Sequence, residues 1–185
     1  TGAVTLSRAV TLLATSGLTV LIALSARLQG VRWYCALAAA ACFLGAPFLD
    51  GWAFTTRADA LAIAVSMLAS YLLVRQPGRP WLAAVVSVLA FFTKQTMISF
   101  PPAACLWLWL SGRRGAAVVF GFTWGLVAGG LFLIGQVVSG GNLALNIIQA
   151  HLNPTNGFDV AVRAFLGFPR VAWLPLMLAI VGLIS

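Results

Sequence analysis

Seven hydrophobic runs separated by short polar breaks dominate the sequence, at residues 9–26, 33–49, 60–74, 81–92, 97–110, 116–138 and 171–185. A helix needs roughly 20 apolar residues to cross the hydrocarbon layer of a bilayer, and several runs approach that length. Only 8% of the 185 residues are charged, against about 25% in an ordinary soluble domain. So few charges could not coat a packed core with wetted side chains, and most of the exterior must face lipid. The expected fold class is all-α, a polytopic integral membrane bundle of about seven transmembrane or membrane-embedded helices. Residues 1–185 read as one transmembrane domain. The sequence opens on Thr1 and stops inside an apolar run at Ser185, so a piece of a longer chain is expected.

The runs at 81–92 and 97–110 are too short to cross comfortably. They are either a helical hairpin or one long helix with Lys94 at its centre. Charge decides. The breaks at 27–32, 75–80 and 111–115 hold six arginines and no acid. A hairpin puts all three on one face, which the positive-inside rule makes cytoplasmic; a single helix would send Arg113 and Arg114 to the other face. Pro101 and Pro102 also oppose a continuous helix, because each lacks a backbone donor. Trp33, Trp81, Trp107 and Trp109 then fall near the cytoplasmic interface, where amphipathic rings favour sitting. Membership of a bacterial inner (cytoplasmic) membrane is expected. A net charge of +8 would point to nucleic acid in a soluble protein. Here the cations occupy short interhelical breaks, and no nucleic-acid partner is expected.

The opposite face receives Asp50, Asp59 and Asp159, together with Arg57, Lys94, His151, Arg163 and Arg170. Leu143, Ile147, Ile148 and Leu152 recur at helical spacing and predict a short interfacial helix. Two constellations could carry chemistry. Arg57-Ala58-Asp59 enters the third run: an interfacial ion pair with Asp59 in the first helical turn is one reading, a pair facing a polar recess the other. Phe92-Thr93-Lys94-Gln95-Thr96 forms the tip of the hairpin. Lys94, the sole lysine, could snorkel to a headgroup. Alternatively it could bind a phosphate with hydrogen bonds from Thr93 and Thr96. His151 without a second ligand reads as an interfacial hydrogen bonder, and Cys35, Cys42 and Cys105 as packing residues. No metal or other cofactor is implied.

Arg57-x-Asp59-Ala60-Leu61 leading an apolar helix, with Phe92-Thr-Lys-Gln-Thr96 some 35 residues later before a Pro-containing helix, resembles the GT-C glycosyltransferases. These polytopic enzymes, which include protein mannosyltransferase and aminoarabinose transferase relatives, use polyprenyl-phosphate sugars. The likeness covers residues 49–114, with Ala58 where bacterial members often have Pro. It implies a glycosyltransferase-like protein acting at the extracytoplasmic face. Asp59 would be a catalytic carboxylate, and Arg57, Lys94, Thr93 and Thr96 would bind the donor's phosphate. The implied partners are a polyprenyl-phosphate sugar donor and membrane lipids. The family takes its main catalytic carboxylate from the first extracytoplasmic loop. No such loop precedes residue 9, so either an N-terminal part is missing or that chemistry is lost. The alternative is a non-catalytic accessory subunit packed among other membrane subunits, which the 18 glycines permit. A transporter fits less well, because the charges gather near one face rather than the midplane.

Overall fold

The computed structural model describes residues 2–45 and 58–144. The expected span at 171–185, the interfacial helix beyond Ala144, and Asp50, Arg57, His151, Asp159, Arg163 and Arg170 lie outside the described residues. Among those described there is no strand. The described residues hold six α-helices, α1 (Gly2–Leu28), α2 (Trp33–Leu44), α3 (Ala58–Arg75), α4 (Pro80–Thr93), α5 (Phe100–Leu110) and α6 (Arg114–Val138), with a 3₁₀ turn, Gln95–Ser99, between α4 and α5. Three of them, α1, α3 and α6, are long and apolar enough to cross a membrane. The chain divides into two compact units, Thr1–Leu131 and Phe132–Ser185.

Each helix end follows from local chemistry. Gly30 and Gly112 close α1 and α5 at positive φ, 83° and 76°. There Val31 N–H donates to the Ala26 carbonyl at 3.2 Å and Arg113 N–H to that of Leu108 at 2.9 Å. That is the left-handed cap that only glycine adopts without a Cβ penalty. Pro80 opens α4, where its missing N–H has no partner to lose. The fifth run, expected from residue 97, becomes α-helical only at Phe100. Pro101 and Pro102 cannot donate to the carbonyls of Met97 and Ile98, so the preceding residues tighten into the 3₁₀ turn.

In the first unit, Leu73 near the end of α3, Ala83 and Ala84 near the start of α4 and Leu108 near the end of α5 share one cluster with Ala117 and Phe120 of α6. Helices α3 and α4 therefore run antiparallel, and α5 doubles back along α4. The hairpin reading holds, and the single rod does not. Cys105 Sγ donates to the Ala117 carbonyl at 3.7 Å. The Phe100–Phe120 and Phe91–Trp124 rings meet edge-on at 6.5 and 5.6 Å, tying α6 to the hairpin. Ala23, Ala36 and Ala40 join α1 to α2, and Ala14, Leu18 and Ala64 join α1 to α3. In the second unit, Gln136 Nε2 donates to the Gly141 carbonyl at 2.7 Å and its Oε1 accepts from Ala144 N–H at 3.0 Å.

Alanine is the commonest residue of the interior, where Phe120, Leu108 and Val88 are the largest fully buried side chains, while many other leucines, valines and phenylalanines point outward. Ala36, Ala62, Ala69, Ala83 and Ala84 are wholly buried, whereas Leu13, Leu110, Phe122 and Val137 are widely exposed. Water offers no reason for that arrangement, but lipid does. Between helices already surrounded by hydrocarbon, attraction comes from close backbone approach, which small residues permit. Substituting Ala83→Leu should push α3 and α4 apart and cost about 1–3 kcal/mol, read as a fall in the thermal midpoint in detergent. The same change at the exposed Ala103 should leave the midpoint unmoved.

Candidate functional site

Antiparallel packing of α3 and α4 puts the first turn of α3 beside the last turn of α4. Asp59 lies in that first turn and is buried. Lys94 follows Thr93 as the C-cap of α4, with φ −153° and ψ 120°, and its N–H still donates to the Ala90 carbonyl at 2.9 Å. The Lys94 ammonium pairs directly with the Asp59 carboxylate, Nζ to Oδ1. Both charges sit where helix dipoles favour them, the carboxylate at a helix start and the ammonium at a helix end. The extended backbone at Lys94 turns its side chain out of the α4 register toward α3.

The surrounding groups divide into satisfied and open. Thr93 Oγ1 donates to the Leu89 carbonyl at 2.8 Å. Its one proton is therefore spent on the helix, leaving the oxygen an acceptor and a poor partner for an anion. Thr96 is exposed in the 3₁₀ turn. Its carbonyl receives the Ser99 hydroxyl at 3.4 Å, and its own hydroxyl is open to the outside. Gln95 is likewise exposed. Of the five candidate residues, the structure brings Asp59 and Lys94 into contact and flanks Lys94 with Thr93 and Thr96. Arg57 lies outside the described residues. No grouping of metal-ligating side chains occurs among the described residues.

Other polar groups escaped the sequence reading. Ser87 is almost fully buried in α4, its Oγ donating to the Ala84 carbonyl at 2.8 Å. In α1, Thr11, Thr15 and Thr19 each donate to the carbonyl four residues back, at 3.0, 2.9 and 2.8 Å. The four-residue spacing of Ser7, Thr11, Thr15 and Thr19 was the available signal. Such hydroxyls satisfy themselves within the helix and need no partner helix.

No protein-family model, no curated protein and no solved structure matches the chain. The site's chemistry therefore rests on its geometry. What the arrangement offers is a carboxylate and an ammonium held together at one end of a helical hairpin. Either can exchange its partner for an incoming group of the same sign as the one displaced.

Removing one member strands the other. The Lys94 side chain keeps 36% of its exposure and that of Asp59 12%, so the cost of Lys94→Met falls below the range of fully buried pairs, at about 2 kcal/mol. The double variant Asp59→Asn/Lys94→Met should recover most of that loss. Thermal unfolding of the four proteins in one detergent measures the coupling directly.

Proposed function

We propose that the chain is a polytopic membrane protein of the polyprenyl-phosphate-dependent sugar-transferase kind. It would act at the membrane face opposite its arginine-bearing turns, with those turns cytoplasmic. The observation that carries this reading is the Asp59–Lys94 pair at the tip of a short hairpin. The 14 residues of α4 extend about 21 Å at 1.5 Å per residue. Measured from the arginine turn, the pair then lies short of a hydrocarbon layer about 30 Å thick. A cation set below the far face suits a lipid-borne phosphate whose tail stays among the helices.

The chemistry is an exchange of partners. A donor phosphate arriving at Lys94 takes the ammonium from Asp59 by a charge-assisted hydrogen bond. The Thr96 hydroxyl adds a donor, and Arg57 is assigned here by the resemblance. The freed carboxylate accepts the proton of an acceptor hydroxyl as its oxygen attacks the anomeric carbon. The bond from that carbon to the phosphate oxygen breaks, and the electron pair leaves with the phosphate. Lys94 stabilises the charge that grows there, and such electrostatic terms are commonly the largest in catalysis.

A non-catalytic subunit of a larger membrane assembly is the second reading, favoured by one observation. The pair satisfies itself, so it can serve as a clamp between α3 and α4 with no ligand at all. Binding separates the two. A long-chain polyprenyl phosphate should bind the full chain in detergent, the uncharged polyprenol should not compete, and Lys94→Ala should weaken binding by about tenfold. Equal binding of alcohol and phosphate, or no effect of Lys94→Ala, rejects the transferase reading and leaves the clamp.

A further inference from the structure

An apolar groove of about 260 Å³ runs between α3 and α5, lined on α3 by Ser70, Leu73 and Val74 and along α5 from Phe100 to Trp107. Its α3 wall ends at Val74, and Arg75 is the next residue. The cluster of Leu73, Ala83, Ala84 and Leu108 brings the 76–79 turn and the 111–113 turn to this same end. Arg75, Arg79, Arg113 and Arg114 are thereby gathered at the Val74–Trp107 end of the groove. The sole carboxylate among the described residues, Asp59, lies at the opposite end.

The four arginines are not equivalent. Arg75 donates to Tyr71 Oη at 2.7 Å and covers its ring at 5.6 Å. Arg114 lies over the Trp109 ring at 5.4 Å. These two are held against aromatic rings, with charge to spare but little freedom. Arg79 and Arg113 are exposed, and their guanidinium groups have no partner among the described residues. Two demands converge here: an anion for two guanidinium groups, and an apolar chain for the groove.

We infer that this end of the hairpin is a binding site for an anionic phospholipid of the adjacent leaflet. The phosphate lies between Arg79 and Arg113, and one acyl chain occupies the groove between α3 and α5. Phosphatidylglycerol has both parts and a net negative charge. Phosphatidylcholine has the chain and the phosphate, but its net charge is zero. Each arginine near such a surface adds roughly a factor of five in favour of an anionic lipid. The site is independent of the phosphate chemistry proposed at Lys94, being at the other end of the hairpin and selecting a different lipid.

The test is native mass spectrometry of the full chain, released from an equal mixture of phosphatidylglycerol and phosphatidylcholine with identical acyl chains. Retained adducts should favour phosphatidylglycerol by about tenfold or more. Arg79→Gln/Arg113→Gln, which removes no side-chain hydrogen bond, ion pair or ring contact among the described residues and should leave the thermal midpoint unchanged, should bring the ratio close to parity. Ala103→Phe, on an exposed wall of the groove, should strip both lipids alike, and soluble glycerol phosphate should not compete. Equal retention of the two lipids by the parent chain overturns the inference, as does a preference that survives the double substitution. Adducts that persist in Ala103→Phe, or that yield to glycerol phosphate, overturn the groove's part in it.

Discussion

The ion pair between Asp59 and Lys94 fixes how the hairpin is used, because it ties the start of one helix to the end of its antiparallel neighbour. The course of the chain beyond α4 builds on that pairing of ends. Once the α4 tip is held against α3, the prolines at 101 and 102 force the chain to restart its helix there, and α5 returns toward the turn from which α4 began. The turn arginines Arg75, Arg79, Arg113 and Arg114 and the Asp59 carboxylate are thus carried to opposite ends of the hairpin. A charge in hydrocarbon is tolerated where it meets an opposite charge or an aqueous surface, and the hairpin provides one condition at each end.

Packing supports this division of labour without adding charge. Wholly buried Ala83 and Ala84 of α4, packed against Leu73 of α3, let α3 and α4 approach closely, which is what allows a side chain capping α4 to reach across to the first turn of α3. Larger residues in those positions would widen the gap and lengthen the pair. The same closeness leaves many bulky side chains outside, the arrangement a lipid surround favours. The stability of the unit and its proposed chemistry therefore share one cause, the close packing of α4 against α3.

Much of this was legible in the sequence, for identifiable reasons. The described helices lie where the apolar runs place them. The choice of hairpin over rod followed from Arg113, Arg114 and the proline pair, since charge placement and a missing N–H act regardless of packing. The contact of Lys94 with Asp59 was foreseeable once the hairpin was accepted, because both residues then belong to one end. Less could be read where geometry alone decides. Residues 97–99 are apolar enough to continue a helix, yet the prolines downstream take their hydrogen-bond partners away. Thr93 looked like a phosphate ligand by position, but its proton goes to the Leu89 carbonyl, a local bond that no spacing rule ranks against a ligand. The groove beside Trp107 depends on how two helices lie together, and no single stretch of sequence records that.

Sided labelling tests the central claim most directly. Single cysteines at Gly78, Ser111 and Thr96, each in an otherwise cysteine-free chain, can be reacted with a membrane-impermeant maleimide in sealed vesicles of one orientation. The account predicts that Gly78→Cys and Ser111→Cys react from the same side and Thr96→Cys only from the other. Reaction of Ser111→Cys and Thr96→Cys from one common side would contradict it, because residues 80–110 would then not fold back between two opposed charged ends.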